Sequence, residues 1–563
     1  MKERNARRAS SFPVWLSAIL SAASLGALGG WLWFNEGSGA TLAFASAVTG
    51  VVVAAVAIMS RRPLFAALSA CALVGAVVAV ARLKRAADGM VLHAWDLVQL
   101  LVSPGDMSAA MREHAGAWLA CGAAALVAGA LLALVFRFER PVLPRPVAAG
   151  ATALCAAVAA FSAGRLPDPG HTQYFWDGLY LSAFYRSFGE TTEAVWRGGL
   201  FERGGAAGAP LSPAAACSLA ARPPHVLLIH EESVTPPSLF PGLEYDHSLD
   251  PFFRSEDGLL HRLRVETYGG ASWLTQFSVL AGVSAHAFGS MKNFVQPFMT
   301  GRLKETVPQI LAGCGYRNMM FTAWPKQFMG VARFYESIGI REIFDQKAQG
   351  NVNENERDRF FFGNALREIA RHVEVSRQPL FLFIETMSAH WPYDVTYEPG
   401  VDVPGGAPGE FPEVHEYLRR LAMVKMDDDW LRAELARRFP SEAFLIVRYG
   451  DHHPMATRLL DGLPEEIVAE SVHLPPDSPA FTTFYAVNGL GYAPPPPPAV
   501  DLLDAAYLGA ILLQAARAPL PASWRERLDL MRSCGGSYWT CPDHEKILAF
   551  QRRLADGGLV GAR

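Results

Sequence analysis

The stretch HVLLIHEES, residues 225–233, decides the fold of the second half of this chain. Its apolar run follows two prolines and ends at two glutamates and a serine. A strand buried on both faces of a parallel sheet has this continuous apolar pattern, with polar residues where it ends. We therefore predict a buried parallel strand here, followed by polar residues.

Similar apolar runs recur along the chain: NMMFTA at 318–323, LFLFIET at 380–386, AFLIVRYG at 443–450 and FTTFYAVN at 481–488. Helical patterns lie between them, at 306–315, 358–375 and 414–439. This alternation predicts an α/β domain with a mainly parallel sheet sandwiched by helices. In such sheets ligands bind beyond the carboxyl ends of the strands, so the residues directly after the strands are the candidates for chemistry.

Polar residues follow three of these strands, and a glycine-rich turn carries a hydroxyl. The candidates are Glu231 and Glu232, His390, Asp451 with His452 and His453, and Ser272 in the turn YGGASWLT (268–275). Carboxylates and imidazoles together suit one divalent ion, Mn²⁺ or Zn²⁺, and suit Mg²⁺ less well. Such an ion beside Ser272 would make its hydroxyl a nucleophile, and a helix N-terminus there would favour a phosphate. The pattern predicts covalent phosphoryl transfer.

In this order the motifs resemble the alkaline phosphatase superfamily, in its sulfatase-like membrane branch of lipoteichoic acid synthases, phosphoglycerol transferases and phosphoethanolamine transferases. The resemblance covers about residues 223–490. It implies a sulfatase-like fold with the metal ligands Glu232, Ser272, Asp451 and His452. Ser272, five residues before Phe277, takes the place of the family's usual threonine nucleophile. Glu231 is left as the less favoured ligand, and Thr267 and Thr275 as alternative nucleophiles.

The resemblance also implies residues on the substrate side: His390 in SAHWPYD, Arg333 before YESIG, Trp324 and His453. For His453, metal ligation, phosphate contact and solvent exposure all stay open. His473 is left between a second-sphere group and a surface residue. The implied reaction moves a phosphoglycerol or phosphoethanolamine head group from a membrane phospholipid to Ser272, and then to a cell-envelope glycan or lipid.

The first part of the chain has the composition of a membrane anchor. The whole sequence is 51% hydrophobic and 18% charged, and the apolar excess lies before residue 165. Five segments are long enough to span a bilayer, at about 12–34, 40–59, 63–83, 115–136 and 146–163. Lys and Arg lie in the N-terminal tail and in both loops on the same side, with Arg61 and Arg62 in one and Arg137, Arg140 and Arg145 in the other. The loop after the third span, with Arg82, Lys84 and Arg85, is the exception. The positive-inside rule then predicts a cytoplasmic N-terminus, with everything after residue 165 outside. The resemblance implies that the membrane is a bacterial inner membrane.

These patterns give the domain organisation: an anchor at 1–165, an interfacial helix and linker at 166–222, the catalytic domain at 223–520 and a tail at 521–563. The aromatic stretch 173–200 predicts the helix along the membrane surface. In the tail, Cys534 and Cys541 are either a local disulfide or two thiols. A net charge of −4 and no long basic tract argue against nucleic-acid binding.

Two other functions are weighed against the transferase. A hydrolase of the same fold, a phosphodiesterase or a sulfatase, is the first. The run after Ser272 lacks the Pro and Arg of the sulfatase motif, which disfavours a sulfatase. An inactive sensor or scaffold is the second, and the retained hydroxyl, carboxylates and imidazole argue against it.

Overall fold

The structure is a computed structural model, and it describes residues 12–37, 39–88, 90–102, 115–166, 178–196, 201–205, 208–213, 217, 223–326, 331–350, 356–401, 411–463 and 474–561. The chain divides into two compact units, of which the first runs to Glu193 and the second begins at Ala194. The predicted domain boundaries at 165, 222 and 520 stay predictions.

The first unit is helical. Its helices are α1 (Val14–Asn35), α2 (Gly39–Ser60), α3 (Pro63–Asp88), α4 (Ala94–Val102), α5 (Ala115–Phe138), α6 (Arg145–Ala163) and α7 (Tyr180–Trp196). Among the described residues, α1, α2, α3, α5 and α6 are long and apolar enough to cross a membrane. The predicted five-span membrane part is therefore confirmed, and the chain is a multi-pass membrane protein. The short helix α4 was not predicted.

Helix α7 occupies most of the aromatic stretch predicted at 173–200; residues 173–177 and 197–200 lie outside the described ranges. The carboxylate of Glu36 accepts hydrogen bonds from the backbone N–H groups of Leu181 and Ser182, at 2.8 and 2.9 Å. These donors have no partner within the helix, so Glu36 satisfies its first turn. The position of α7 along a membrane surface stays a prediction.

The second unit contains one sheet of eight strands within the described ranges: β1 (His225–Glu231), β2 (His261–Arg264), β3 (Arg317–Phe321), β4 (Glu342–Phe344), β5 (Leu380–Glu385), β6 (Phe444–Gly450), β7 (Thr482–Leu490) and β8 (Leu502–Asp504). Their order is β4-β3-β5-β1-β6-β7-β2-β8. Only β7 is antiparallel to its neighbours. The predicted mainly parallel sheet is confirmed, and its five predicted strands are β1, β3, β5, β6 and β7.

Helices cover both faces of this sheet. They are α8 (Trp273–Ala281), α9 (Val295–Met299), α10 (Val307–Gly313), α11 (Val331–Ser337), α12 (Asp358–Val375), α13 (Pro412–Arg438), α14 (Ala505–Ala515), α15 (Ala522–Ser533) and α16 (His544–Asp556). Short 3₁₀ helices lie at Pro237–Leu239, His247–Phe253, Ala285–Phe294, Met455–Thr457 and Pro479–Phe481. Leu227 and Ile229 of β1 pack with residues of α12 and α13. The intervening side chains point to the opposite face, where Gln276 of α8 reaches His230.

Two disulfides lie in the second unit. One joins Cys534 to Cys541, which the sequence left open between a disulfide and free thiols. The other joins Cys217 to Cys314, 97 residues later in the chain. The sequence gives no signal for this second pairing, because the two cysteines lie far apart along the chain.

Candidate active site

The candidate site lies where three central strands end together. β1 is flanked by β5 and β6, all three are parallel, and His230 pairs with Glu385 on one side and Tyr449 on the other. Their carboxyl ends therefore meet at the same edge of the sheet. This register puts Glu232 and Asp451, which directly follow β1 and β6, beside each other.

Strand alternation separates the two glutamates that follow β1. Successive side chains of a strand point to opposite faces. Glu232 is on the α8 side, where its Oε2 accepts a hydrogen bond from the Ser272 hydroxyl at 2.8 Å. Glu231 is on the other face, where it accepts from Thr386 Oγ1 at 3.2 Å and lies near the charge of Arg448. Of the two glutamates, the structure thus brings Glu232 to Ser272.

Ser272 directly precedes α8, so its hydroxyl lies at the N-terminus of that helix. The turn before it has positive φ at three successive residues, Gly269 (67°), Gly270 (152°) and Ala271 (62°). A Cβ at Gly269 would lie 2.5 Å from Met455 Sδ, so glycine is required there by both conformation and space. Ala271 carries a Cβ, so its positive φ is strained. Strain of this kind is often found at functional sites.

Glu232, Asp451 and His452 converge beside this hydroxyl. His452 Nε2 lies 3.3 Å from Glu232 Oε1, 3.3 Å from Asp451 Oδ2 and 3.5 Å from Ser272 Oγ. His452 Nδ1 lies 2.8 Å from the carbonyl oxygen of His453. When Nδ1–H donates to this carbonyl, Nε2 of the neutral ring keeps its lone pair for a metal ion.

The four residues fit a divalent ion on two further grounds. Asp451 Oδ2 is buried without a hydrogen-bond partner among the described residues, although Oδ1 accepts from the backbone N–H of Ser233. A buried carboxylate oxygen is costly unless something satisfies it, and a cation would do so. The mixture of carboxylates and imidazole is a donor set that Zn²⁺ and Mn²⁺ accept.

The structure adds His230 to this cluster. Its Nε2 lies 3.3 Å from Asp451 Oδ2 and 3.7 Å from Glu232 Oε2. Ligand atoms of these three residues all lie within 4.8 Å of one another. Sequence reasoning missed His230 because it closes an apolar run. Strand alternation was the available signal, since residues 230 and 232 must share a face.

The histidines and carboxylates of this cluster strongly shift each other's pKa values. Burial alone would lower the pKa of His230, but Asp451 and Glu232 outweigh it and raise the pKa to about 10. The same balance raises the pKa of His452 to about 9. Burial favours the neutral form of Glu232, yet His230 and His452 hold the pKa of this carboxyl well below its usual value. The two carboxylates therefore stabilise positive charge between them.

On the substrate side, His390 and Trp324 lie together, with ring centroids 6.0 Å apart in an edge-to-face arrangement. His390 Nδ1 is buried without a hydrogen-bond partner within the described ranges. A positive charge on His390 would lower the pKa of the Glu232 carboxyl. Arg420 Nη1 donates to the carbonyl of His390 at 2.6 Å and so fixes this loop.

The other predicted substrate residues, Arg333 and His453, differ in exposure and in hydrogen bonding. Arg333 is exposed on α11, while Tyr335 of the same helix contacts Gln276. His453 has both ring nitrogens engaged, Nδ1 with Asp461 at 3.0 Å and Nε2 with the carbonyl of Thr482 at 2.7 Å. The protein therefore leaves His453 no ring nitrogen for a ligand. His473 lies outside the described residues.

The alternative nucleophiles Thr267 and Thr275 have hydroxyls bound to backbone carbonyls. Thr267 Oγ1 donates to Gly270 at 2.7 Å, and Thr275 Oγ1 donates to Asp451 at 2.9 Å. Both residues are fully buried. Their contacts are those of side chains that hold the turn and the strand end in place.

The Sulfatase family model matches residues 247–475, a segment that contains Ser272, His390, Asp451 and His452, whereas Glu232 precedes it. An uncharacterized protein of Haemophilus influenzae is 22% identical over 240 residues. This match covers 41% of the chain and 41% of that relative, so the chain spans about two fifths of the length of the curated relative it matches.

Two solved structures are similar at low sequence identity. The phosphoglycerol transferase GacH of Streptococcus pyogenes, in complex with sn-glycerol-1-phosphate, is 13% identical with a TM-score of 0.45, over 60% of this chain and 85% of GacH. The lipooligosaccharide phosphoethanolamine transferase A (EptA) of Neisseria meningitidis is 11% identical with a TM-score of 0.46, over 85% of this chain and 95% of EptA. The match of residues 247–475 to the Sulfatase family confirms the resemblance to the alkaline phosphatase superfamily, and it identifies a sulfatase-like domain in the second unit of this membrane protein.

Proposed function

We propose that this protein is a metal-dependent phosphotransferase. It moves a phosphoglycerol or phosphoethanolamine head group from a membrane phospholipid, through a covalent intermediate on Ser272, to a cell-envelope glycan or lipid. The observation that carries this proposal is the Ser272 hydroxyl, which lies at the N-terminus of α8, 2.8 Å from Glu232 and 3.5 Å from His452 Nε2. A nucleophile, a cation-binding cluster and an anion-binding helix end are thus combined in one place.

Glu232, Asp451, His452 and Ser272 are the proposed metal ligands. A divalent ion held there, Mn²⁺ or Zn²⁺, would lower the pKa of the serine hydroxyl and offset charge on the phosphate. Two observations support this assignment: Asp451 Oδ2 has no hydrogen-bond partner within the described residues, and the contact of His452 Nδ1 with the carbonyl oxygen of His453 leaves Nε2 of the neutral ring to ligate an ion.

The reaction has two displacements at phosphorus. In the first, Ser272 Oγ attacks the phosphodiester, and the bond from phosphorus to the diacylglycerol oxygen breaks. The serine proton leaves along the hydrogen bond to Glu232, and diacylglycerol takes up a proton. In the second, the oxygen of an acceptor hydroxyl attacks the phosphorus bound to Ser272 and gives up its proton, the bond from phosphorus to Ser272 Oγ breaks, and the serine regains a proton. The N–H groups at the start of α8 favour the phosphate in both steps.

We assign His390, Trp324 and Arg333 to the substrate. His390 Nδ1 is buried without a partner in the described residues, so a substrate oxygen could complete its hydrogen bonding. Trp324 supports the His390 ring from its edge. Arg333 is an exposed cation on α11, suited to a phosphate or head group.

The proposed location is the bacterial inner membrane, with the N-terminus in the cytoplasm and the sulfatase-like domain outside. The basic residues around the spans support this orientation. The two disulfides of the second unit also support it, because disulfides persist in oxidising compartments outside the cytoplasm. A membrane-embedded enzyme would have its lipid donor at hand.

The test is transfer of a labelled head group. The full chain is placed in vesicles with Mn²⁺ or Zn²⁺ and with head-group-labelled phosphatidylglycerol or phosphatidylethanolamine. We expect one lipid to label the peptide that contains Ser272, no label in Ser272→Ala, and normal labelling in Ser376→Ala, a serine in the turn after α12. No label from either lipid contradicts the proposal. Label released into water without any acceptor would identify the hydrolase alternative.

A further inference from the structure

His230 is held in the cluster between its two carboxylates. It is 1% exposed, and its Nε2 is 3.3 Å from Asp451 Oδ2 and 3.7 Å from Glu232 Oε2. We propose that His230 Nε2 is an additional ligand of the metal ion, so that two imidazoles and two carboxylates of this chain bind it beside Ser272. This inference rests on the metal dependence in the proposed function.

The other nitrogen of the ring is positioned for this role. His230 Nδ1 lies 2.9 Å from the hydroxyl of Tyr449, its direct neighbour on β6. A ligating histidine binds the ion with one ring nitrogen and donates a hydrogen bond from the other, which fixes the tautomer and the ring plane. With Nδ1–H donating to Tyr449 Oη in the neutral ring, Nε2, which lies beside the two carboxylates, keeps its lone pair for the ion.

Gln276 of α8 favours the same tautomer. Its amide nitrogen donates to Glu385 Oε1 at 2.7 Å, and its oxygen accepts from the Tyr335 hydroxyl at 2.5 Å. These two partners orient the amide so that its nitrogen lies 3.4 Å from His230 Nε2. Two N–H donors facing each other would repel, so an amide N–H here matches a lone pair on Nε2.

Two other histidines of this unit, His261 and His286, each face a single carboxylate. His261 faces Asp257, and His286 faces Glu266. Each of these pairs is an ordinary imidazole–carboxylate contact. Within the described part of the chain, only His230, Glu232 and Asp451 form a group of three ligating residues whose atoms lie within 4.8 Å.

The expected consequence concerns metal preference. Mg²⁺ prefers oxygen ligands and keeps several waters, whereas imidazoles favour Zn²⁺ and related transition ions. A second imidazole therefore shifts the site toward Zn²⁺. Without His230, the remaining set of two carboxylates, one imidazole and one hydroxyl would discriminate less between Zn²⁺ and Mg²⁺.

The experiment measures metal binding directly, apart from activity. The full chain in detergent is stripped with a chelator and titrated with Zn²⁺ against a competing chelator, and Co²⁺ is used to record the visible ligand-field spectrum. We expect one ion per wild-type chain. His230→Gln should bind at least tenfold more weakly and show a changed Co²⁺ spectrum. His286→Gln, at a half-buried histidine that faces Glu266 away from the cluster, should match the wild type in both measurements.

Tyr449→Phe provides a second variant that keeps the ligand and removes its hydrogen-bond partner. We expect it to weaken Zn²⁺ binding by about tenfold, as loss of a partner behind a ligand commonly does. If His230→Gln does not fold, as judged by circular dichroism, this variant decides the question. Unchanged Zn²⁺ affinity and Co²⁺ spectrum in a folded His230→Gln, or unchanged affinity in Tyr449→Phe, would overturn the inference while leaving the proposed function intact. Absence of a bound ion in the wild type would overturn both.

Discussion

The central strands carry buried charge on both faces, and the two faces neutralise it differently. The α8-side cluster comprises His230, Glu232, Asp451 and His452, and the α13-side cluster comprises Glu231, Asp358, Asp428 and Arg448. On the α13 side, Arg448 Nη1 lies 3.5 Å from Asp428 Oδ2, and Arg432 Nε lies 2.7 Å from the same oxygen. On the α8 side, the charges that oppose Glu232 come from histidines.

This difference distinguishes the α13-side cluster from the proposed metal site. A guanidinium stays charged throughout the physiological pH range, so Arg448 permanently neutralises the α13-side cluster. An imidazole can lose its proton and ligate a metal ion instead. The α8-side cluster is therefore the face on which positive charge can be exchanged. Substitutions on this face should affect metal binding and chemistry, whereas those on the other face should affect stability.

The largest expected effect is that of Glu232→Gln. Loss of this carboxylate should weaken metal binding and lower head-group transfer by at least about 100-fold, since it removes a ligand and the partner of Ser272. The measurements are the metal content and the initial rate of transfer. In chelator, the thermal midpoint should fall, because the Glu232 carboxylate offsets the positive charge of His230 and His452 in the metal-free protein. A variant with normal metal content and rate would remove Glu232 from the site.

Arg448→Met should act on stability instead. It leaves Asp428 without one of its buried partners, which typically costs about 3–5 kcal/mol. Denaturant unfolding of the full chain should show this loss, while the folded fraction still binds Zn²⁺. Arg377→Met is the control, because Arg377 pairs with Glu442 at 87% exposure and should cost at most about 1 kcal/mol. Equal costs for the two variants would mean that the α13-side cluster contributes no special stability.

The next prediction concerns pH. Burial, with the nearby Asp427 charge, raises the pKa of Asp358 to about 7. Its unfolded pKa is about 3.9, so the folded state binds the proton more tightly. This contribution to stability is complete below about pH 4 and is lost as the pH rises toward 7, by at most about 1.4 kcal/mol per pH unit.

Asp358→Asn tests this directly. The asparagine oxygen can still accept from the backbone N–H groups of Met387 and Ser388, which now lie 2.8 and 2.9 Å from Asp358 Oδ1. Thermal midpoints from pH 5 to 7.5 should therefore fall less steeply in the variant than in the wild type. Parallel pH profiles for the two proteins would contradict the raised pKa.

The smallest expected effect comes from Glu231→Gln. Glu231 adjoins Glu232 in sequence but points to the α13 side, and burial raises its pKa to about 8. A neutral side chain of the same shape should fit there, so we expect metal affinity and transfer rate within about threefold of the wild type. If Glu231→Gln lowered metal affinity and transfer rate as much as Glu232→Gln, strand alternation would not separate the roles of Glu231 and Glu232.

Much of the fold could be predicted because long elements carry a periodic pattern. The helical pattern at 358–375 coincides with α12 (Asp358–Val375), and each of the five predicted strands lies in the sheet. The strands β2, β4 and β8 have only three or four residues, too few for an alternation to show.

The candidate site was predictable only in part. The carboxyl-end rule brings Glu232 and Asp451 together, because β1 and β6 are parallel neighbours. His230 could have been found from the same strand by its alternation. His453 contacts Asp461 and the carbonyl of Thr482 because of the path that the chain takes after β6. The local sequence does not predict that path.

The disulfide between Cys217 and Cys314 has a practical consequence for expression of the sulfatase-like domain alone. Cys217 precedes β1 by several residues and lies in what the sequence presents as linker. A truncation starting at residue 223 would leave the buried Cys314 as an unpaired thiol and discard a bridge that closes 97 residues. A loop of that length confers about 4–5 kcal/mol by chain entropy. Soluble protein should therefore start upstream of Cys217 and be secreted rather than made in the cytosol.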